Sequence, residues 1–388
     1  MGAAGRRRLT AMRVLLYANT DWYLFNFRRS LATALLDRAD DVLLVSPPGE
    51  YGEKLVALGF RWIPAPMIRR SLNPLREMYL LFWLTRLIRR ERINLVHGFT
   101  IKCSIYAGLA GKFTAISRVC SVTGLGYVFI SADWVARVLR PLVRKFLNWA
   151  LSGTNTRLIL QNPDDVALCK RAGLANTGVI RLIPGSGVDC QRFVPDPECS
   201  RGERFRVLLP ARLLWDKGLA EYVEAARRLR SQGYAIDFLL AGNPDPGNPA
   251  AVSVATVHGW VKEDVLQWLG HVEDMRALYR SVNVVVLPSY REGLPKGLIE
   301  AGACGLPLVT TDVPGCREVV TDGVDGLLVP VRDAGALASA ISRLQSDPAL
   351  AQRLGAAARQ KVLALYDERI IIARTLNVYR ELVCMAAG

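Results

Sequence analysis

Short apolar runs rich in valine, isoleucine and leucine recur along the chain, and the longer segments between them repeat apolar positions every three or four residues. The short runs predict buried parallel strands, and the longer segments predict helices that pack on those strands. Strands that alternate with helices in this way predict doubly wound parallel sheets of the α/β class. The predicted strands are residues 14–18, 42–46, 61–64, 93–97 and 158–162 in the first half, and 205–212, 236–242, 265–272 and 282–287 in the second.

The two groups of strands predict two domains, for which 388 residues is an ordinary length. Pro195 and Pro197, which stand among charged residues, mark the boundary between them. We therefore expect four regions, which are a basic leader at 1–12, a first domain at 13–190, a second domain at 191–365 and a final helix at 366–388.

The segment from Pro288 to Glu300, directly after the predicted strand 282–287, is the most informative stretch of the chain. Its loop leads into a predicted helix whose free backbone N–H groups and dipole favour an anion. Glu292 and Glu300 stand at the ends of a seven-residue gap, and a carboxylate can accept two hydrogen bonds from a vicinal diol. A phosphate beside two sugars describes a nucleotide-sugar. Two glutamates at this spacing can also occur by chance, but the strand–loop–helix context favours a site.

Two cations of the second domain are placed to act on the same ligand. Arg212 ends the predicted strand 205–212, and Lys217 precedes the predicted helix that follows. Two fixed cations can neutralise a diphosphate without a metal ion. The chain has no Asp-x-Asp motif, so a metal-held diphosphate is not indicated. Either cation alone is typical of a solvated surface charge, and only their register with the two glutamates favours a site.

The glutamate spacing, together with the arginine–lysine pair, resembles the signature of glycosyltransferase family 4, whose members are retaining enzymes of the GT-B architecture. The resemblance covers residues 13–385 and is strongest from 205 to 330. It implies two Rossmann-like domains that face a cleft, with the donor on the second domain and the acceptor on the first. It also implies that the final helix packs back on the first domain.

In that family the first glutamate faces the donor sugar, the second holds the donor ribose, and the arginine–lysine pair meets the donor diphosphate. The resemblance therefore implies catalytic roles for Glu292, Arg212 and Lys217, and a ribose-binding role for Glu300. It implies neither a cofactor nor a metal. For His271, a structural role is the stronger alternative to donor binding. The further donor-binding candidates are Gly293, Leu294, Pro295, Lys296, Gly297, Gly270 and His271.

Candidates for the acceptor side lie in the loops of the first domain, because ligands of a doubly wound sheet bind at the carboxyl ends of its strands. The spacing of His97 and Lys102 resembles a family segment on that side, although a lone histidine at a strand end is as often structural. Residues 123–127 resemble a subgroup that builds bacterial surface polysaccharides and lipid-linked oligosaccharides. The acceptor-side candidates are Asn19, Asp21, His97, Lys102, Thr123 and Gly124.

The net charge of +15 lies entirely in the first half of the chain. Residues 1–190 contain 27 Lys and Arg against 12 Asp and Glu, whereas residues 191–388 contain 23 of each. This asymmetry indicates an anionic partner for the first domain, either nucleic acid or an anionic membrane surface. A basic domain without such a partner is the alternative.

Residues 129–151 combine helical apolar spacing with tryptophan and basic residues, which is typical of an interfacial helix. Pro141 predicts a kink or a break in it. A core-packing helix pair is the alternative. Residues 72–92 show a similar mixture, which we interpret as an ordinary helix that covers the sheet. The membrane-contact candidates are Trp134, Arg137, Arg140, Arg144, Lys145, Phe146 and Trp149.

The apolar runs, the N-terminal sequence and the cysteines limit which cellular compartment and which function the sequence favours. No apolar run reaches the ~18 residues of a membrane-spanning helix, no signal peptide is recognised, and the eight scattered cysteines indicate free thiols in a reducing cytosol without a zinc site. We expect an enzyme at the inner face of the cytoplasmic membrane. We expect it to transfer a sugar from a nucleotide-sugar, which we take to be UDP-linked, to a polyprenyl-diphosphate-linked sugar, with the retention that the resemblance implies.

Two other functions are compatible with parts of the sequence. A nucleotide-sugar epimerase of the same architecture would use the same donor site and need no membrane. A nucleic-acid-binding protein would use the basic first half, but we recognise no nucleic-acid motif and therefore expect no such partner.

Overall fold

The computed structural model describes residues 11–69, 71, 73–124, 134–196 and 204–386, and the side chains of 134–139 and 384–386 lie outside that description. Residues 1–10 of the predicted leader, and residues 129–133 of the predicted interfacial segment, also lie outside it. The chain divides into two compact units, with boundaries at Ile183/Pro184 and at Ile371/Ile372. The first boundary falls shortly before the predicted one at residue 190.

The first unit is built on a seven-stranded parallel sheet of order β3-β2-β1-β4-β5-β6-β7. The strand order reverses between β1 and β4, which makes the carboxyl ends of these two strands the topological switch point where ligands of such sheets bind. Nearly every residue of the central strands is buried, as expected for strands covered on both faces. The strands are β1 Arg13–Tyr17, β2 Asp41–Ser46, β3 Arg61–Pro64, β4 Leu95–Phe99, β5 Ser117–Val122, β6 Thr156–Leu160 and β7 Ile180–Leu182.

Three of the helices of this unit lie side by side, since α5 contacts both α4 and α6. The described part of the interfacial segment forms one helix, α6, with Pro141 inside it, so the predicted break is absent. The helices are α1 Asp21–Tyr23, followed by a π-helical turn Leu24–Arg28, α2 Arg29–Leu36, α3 Gly52–Ala57, α4 Pro74–Arg90, α5 Ile101–Phe113, α6 Trp134–Ala150 and α7 Pro163–Arg171.

The second unit contains a six-stranded parallel sheet of order β10-β9-β8-β11-β12-β13, which reverses between β8 and β11. The prediction of two doubly wound parallel sheets is therefore confirmed. The strands are β8 Phe205–Pro210, β9 Ile236–Ala241, β10 Gln267–Gly270, β11 Val284–Leu287, β12 Leu308–Thr311 and β13 Leu327–Val329. The helices are α8 Leu219–Ser231, α9 Val254–Lys262, α10 Met275–Arg280, α11 Lys296–Ala303, α12 Cys316–Val319, α13 Ala334–Ser346 and α14 Pro348–Leu365.

The last helix, α15 Glu368–Ala386, contributes its residues from 372 onward to the first unit. Its Glu381 carboxylate accepts hydrogen bonds from the buried Arg157 at 2.9 Å and from Arg181 at 2.7 Å. These ion pairs tie α15 to β6 and β7, so the end of the chain packs against the sheet of the first unit.

Burial makes the cysteine thiols of this protein unreactive. The six cysteines whose side chains the structure describes are free and buried, and burial raises the pKa of a thiol such as Cys103 to about 12. None of these thiols is poised for nucleophilic chemistry. In the described part of the chain, no helix is both long enough and apolar enough to cross a membrane.

Candidate active site

Lys217 and Glu292 form an ion pair at the carboxyl edge of the second sheet. Glu292 lies in the loop after the fully buried strand β11, and Lys217 ends a 3₁₀ turn that follows β8. The Lys217 Nζ atom lies 2.5 Å from Glu292 Oε1, which also accepts a hydrogen bond from Ser289 Oγ at 2.7 Å. Both side chains are sheltered, with 18% of Lys217 and 11% of Glu292 exposed. The structure thus brings two of the predicted catalytic residues together.

Two glycines hold the loop that carries Glu292. Gly218 has a φ of +76°, and a Cβ atom there would lie 2.1 Å from the carbonyl oxygen of Pro288. Gly315 has a φ of +86°, and a Cβ atom there would lie 2.5 Å from the carbonyl oxygen of Glu292. Any side chain at either position would therefore push the loop away from its neighbours.

Glu300 lies in α11, the helix that begins directly after the same loop. Its Oε2 atom lies 3.3 Å from the hydroxyl of the buried Tyr279, and its Oε1 atom lies 3.6 Å from Lys296 Nζ. Burial raises the pKa of the Glu300 carboxyl, although Lys296 and the Tyr279 hydroxyl oppose that shift. The Glu300 carboxyl therefore takes up a proton at a higher pH than an exposed glutamate does.

Arg212, the third predicted catalytic residue, is paired with a carboxylate that the sequence analysis did not single out. Its Nη1 atom donates to Asp245 Oδ2 at 2.6 Å, and Asn248 Nδ2 donates to the same oxygen at 3.1 Å. Asp245 lies in the loop after β9, and about half of the Arg212 side chain, 51%, is exposed. The Asn-Pro-Asp-Pro turn after a predicted strand was the one sequence signal for Asp245.

The other donor-side candidates lie at the same edge of the sheet. Gly270 ends β10 with a φ of +64°, and its carbonyl oxygen accepts a hydrogen bond from Gly242 N at 2.8 Å. His271 is exposed in the loop that follows. Residues 293–297 lead from Glu292 into the first turn of α11. Among the described residues, no group of three or more His, Cys, Asp or Glu side chains is arranged to hold a metal ion.

In the first unit, Asp21 makes contacts that favour a structural role. Its buried carboxylate accepts hydrogen bonds from the backbone N–H groups of Trp22 at 2.8 Å, Tyr51 at 2.7 Å and Gly52 at 2.9 Å. These bonds join α1, which follows β1, to the segment between β2 and α3. An acceptor-side role for Asp21 stays a prediction.

The remaining acceptor-side candidates lie at the carboxyl ends of the strands. Asn19 follows β1, and Thr123 and Gly124 follow β5, all of them partly exposed. Lys102, in the first turn of α5, donates to Glu77 Oε1 at 2.9 Å. The structure therefore places this set along one edge, and their role toward an acceptor stays a prediction.

His97 is buried, and both of its ring nitrogens have partners. Nδ1 lies 2.6 Å from the Tyr379 hydroxyl, and Nε2 lies 2.6 Å from Ser121 Oγ. Burial, together with the nearby Arg28 guanidinium, holds the pKa of His97 well below its ordinary value. These contacts favour the structural alternative for His97, which links β4 and β5 to the last helix.

We expect His97 to make the stability of the protein depend on pH. An unfolded chain protonates this imidazole as the pH falls through about 6.5, whereas the folded protein does not. The unfolded state then binds more protons, so the free energy of unfolding falls by up to about 1.4 kcal/mol per pH unit below that value. Calorimetry of His97→Gln should show a smaller fall in Tm between about pH 7.5 and about pH 5.5 than the wild type.

His271 provides the matched control for that prediction, because it is exposed in the same protein. His271→Gln should keep the pH dependence of the wild type. Equal pH dependence in His97→Gln and wild type would show that His97 is not held neutral in the folded protein.

The membrane-contact candidates are carried by α6. The side chains of Trp134 and Arg137 lie outside the described residues. Leu147 and Ala150 are buried, whereas Leu142, Phe146 and Trp149 are exposed along a flank of the helix next to that buried face. Helix α6 therefore packs on the first unit by one face and leaves apolar side chains exposed beside that face. The four basic candidates divide into the half-buried Arg140, the exposed Arg144 and Lys145, and the undescribed Arg137.

Two protein-family models match the chain, one over most of each unit. The model described as "Glycosyl transferase 4-like domain" matches residues 26–184, and "Glycosyl transferases group 1" matches residues 204–347. With the two doubly wound sheets and the carboxylate–cation site, these matches define the class as a glycosyltransferase of the GT-B fold. The chain belongs to the family whose two domains these models describe, as its resemblance to family 4 predicted.

Similar proteins extend over almost the whole chain. N,N'-diacetylbacillosaminyl-diphospho-undecaprenol alpha-1,3-N-acetylgalactosaminyltransferase of Campylobacter jejuni is 29% identical over 384 residues, which are 96% of this chain and 99% of that protein. UDP-Gal:alpha-D-GlcNAc-diphosphoundecaprenol alpha-1,3-galactosyltransferase of Escherichia coli is 26% identical over 74% of this chain and 75% of that protein. The solved structure of sucrose-phosphate synthase from Thermosynechococcus elongatus has a TM-score of 0.79 at 25% identity, and covers 97% of this chain and 100% of that one. None of these three is an epimerase or a nucleic-acid-binding protein.

Proposed function

We propose that this glycosyltransferase moves a hexose or N-acetylhexosamine from a UDP-sugar to a sugar on a polyprenyl diphosphate carrier, with retention of the anomeric configuration and without a metal ion. The observation that carries the proposal is the sheltered Lys217–Glu292 pair, in which Glu292 belongs to the loop that leads into the helix of Glu300. The acceptor class is supported by the full-length similarity to the Campylobacter enzyme, whose name states an undecaprenol diphosphate. The UDP donor is supported by the name of the Escherichia enzyme.

The chemistry follows from the charges at the carboxyl edge of the second sheet. In the reaction, the bond between the sugar C1 atom and the diphosphate oxygen breaks, and its electron pair leaves with UDP. The acceptor oxygen forms the new bond on the same face of the sugar, and its proton passes to the departing phosphate oxygen. Lys217 has three N–H donors, so it can stabilise the leaving phosphate while it keeps its bond to Glu292.

Arg212 and Glu300 complete the proposed donor site. Arg212 reaches the diphosphate from the loop after β8, and Asp245 holds its guanidinium in place. The Glu300 carboxylate accepts hydrogen bonds from the ribose hydroxyls, and it accepts them most strongly when it is ionised. In this arrangement the donor nucleotide is bound by helix α11 and by the loops that follow β8 and β11, at one edge of the second sheet.

The decisive experiment offers purified protein a set of UDP-hexoses and UDP-N-acetylhexosamines, with a sugar on a short-chain polyprenyl diphosphate as acceptor. We expect one donor to give acceptor-dependent release of UDP, a product with the anomeric configuration of the donor, and undiminished activity in excess chelator. Donor consumption that ignores the acceptor would favour the epimerase. Loss of activity in chelator that a divalent cation restores would contradict metal independence.

An anionic membrane surface is part of this proposal, because a polyprenyl chain cannot leave the bilayer. Helix α6 offers the exposed Phe146 and Trp149 together with basic residues that can each contribute about 1 kcal/mol near anionic headgroups. We therefore expect the protein to co-sediment with anionic vesicles, less so as salt rises. Combined reversal of Arg140, Arg144 and Lys145 to Glu should abolish binding and slow transfer to a long-chain acceptor.

The matched control reverses three exposed cations of the second unit, which are Lys262, Arg343 and Arg353. It changes the net charge equally and should leave vesicle binding and transfer intact. In both variants, transfer to a short, water-soluble acceptor should change little. A triple α6 variant that binds vesicles as well as wild type would make α6 an ordinary packing helix.

A further inference from the structure

Helix α4 exposes a row of large apolar side chains that the fold leaves uncovered. Leu75 is 71% exposed, Met78 63%, Tyr79 57% and Phe82 65%. Their spacing of three, one and three residues places them on one side of a helix. Isolated exposed apolar residues are normal on a protein surface, whereas a contiguous row of this kind marks an interaction site.

The exposed row lies opposite the face by which α4 packs on the sheet. The packing face consists of Leu80, Leu84, Leu87 and Ile88, all buried. At about 100° per residue, the centre of that face lies roughly half a turn from the exposed row. Helix α4 is therefore apolar on two faces, and the sequence interpretation of an ordinary covering helix accounts for only one of them.

Basic residues continue the exposed row toward the end of the helix. Arg86 and Arg89 follow Phe82 at spacings of four and three residues, and both are exposed. The single acidic residue of α4, Glu77, is instead turned toward Lys102 and Tyr106, which it contacts at 2.9 and 2.6 Å. The outward face therefore has an apolar first half and a purely basic second half.

The position of α4 in the fold places the apolar half next to the predicted acceptor side. The helix follows β3 and begins at the carboxyl edge of the first sheet, and Lys102 ties its first turn to the start of α5. At the other end, Arg89 donates to the Phe113 carbonyl oxygen at 3.4 Å, and the Phe113 ring meets the Trp149 ring of α6 with centroids 5.5 Å apart. The exposed rows of α4 and α6 thus belong to one layer of helices.

We propose that the outward face of α4, formed by Leu75, Met78, Tyr79, Phe82, Arg86 and Arg89, docks on an anionic lipid bilayer. Apolar and aromatic side chains at one end enter the headgroup boundary, where tyrosine is favoured, while the arginines meet lipid phosphates. A second copy of the chain is the less fitting occupant, because the same face carries no acidic residue to pair with the arginines. This proposal adds a contact through α4 to the membrane docking described under the proposed function. It rests on that proposed function for the choice of a membrane as the partner.

The test combines Leu75→Ser, Met78→Ser and Phe82→Ser, and measures flotation with vesicles that contain phosphatidylglycerol. The partition coefficient should fall about a hundredfold, because three apolar side chains no longer enter the interface. The matched control combines Val324→Ser, Val331→Ser and Leu365→Ser, which are exposed apolar residues of the second unit, and it should float like wild type. Unchanged thermal unfolding confirms that both variants fold.

A charge variant tests the other half of the face. Combined Arg86→Glu and Arg89→Glu should reduce flotation with anionic vesicles and weaken its dependence on salt, with no effect on the weak flotation with pure phosphatidylcholine. Serine and charge variants that float like wild type would overturn the proposal. So would a wild-type dimer in sedimentation analysis that the serine variant converts to monomer while it still floats.

Flotation needs neither donor nor acceptor, so its outcome is separate from that of the proposed reaction. A protein without transferase activity that floats through α4 would still support this inference. A protein that transfers sugar to a short soluble acceptor but never floats would overturn the inference and leave the proposed reaction intact.

Discussion

Replacement of Lys217 by alanine is expected to lower kcat by about 10²- to 10³-fold, with a much smaller change in the donor KM. The charge on the diphosphate grows as the sugar departs, so a fixed cation stabilises the transition state more than the bound donor. The sheltered position of the Lys217–Glu292 pair strengthens this effect, because screening by water is reduced there. Steady-state kinetics with the preferred UDP-sugar provide the measurement, and Arg212→Ala should act in the same direction.

Lys361 offers a matched control for Lys217. Its Nζ atom lies 3.1 Å from the buried Asp325, and 18% of its side chain is exposed, as for Lys217. Lys361→Ala should therefore cost a comparable loss of stability and leave kcat unchanged. Wild-type turnover in both Lys217→Ala and Arg212→Ala would remove the two cations from the donor site.

Replacement of Glu300 by alanine should raise the donor KM by about ten- to hundredfold, because the ribose hydroxyls lose a charged hydrogen-bond acceptor. The loss arises in binding, so donor affinity measured by titration calorimetry should fall by the same factor. Tyr279→Phe, which removes the hydroxyl 3.3 Å from Glu300 and keeps the ring, should cost much less. An unchanged donor affinity in Glu300→Ala would place the ribose elsewhere.

The raised pKa of Glu300 adds a pH dependence to donor binding. Above that pKa the carboxyl is ionised and accepts from both hydroxyls, and as the pH falls through it, donor affinity declines. This decline should begin at a higher pH than for an exposed glutamate. Glu300→Gln, which cannot ionise, should bind weakly and show no such decline.

Local sequence determined much of what could be predicted in the second unit. The strand, the loop and the helix around residues 282–303 form as expected, because each depends on residues adjacent in the chain. The ion pair between Lys217 and Glu292 joins positions 75 residues apart, and that between Arg212 and Asp245 joins positions 33 apart. Sequence reasoning identified three of these four side chains but not which carboxylate holds which cation.

In the first unit the limits of sequence reasoning have a different cause. His97 is at a strand end in sequence, but its environment depends on Tyr379, which is 282 residues away. In α4, the repeat of apolar positions identifies a helix but does not assign each apolar residue to the core or to the surface. Only the packed structure shows that Leu84 is buried and Phe82 is exposed.

The division of the first unit between both ends of the chain has a consequence for biosynthesis. Its sheet is synthesised first, yet Arg157 and His97 obtain their partners Glu381 and Tyr379 only when the last helix leaves the ribosome. The nascent N-terminal region therefore stays incompletely packed until nearly two hundred further residues have been translated. A gene fragment that stops at residue 183 should yield an unstable product, whereas a circular permutant that places α15 before β1 should yield a folded one.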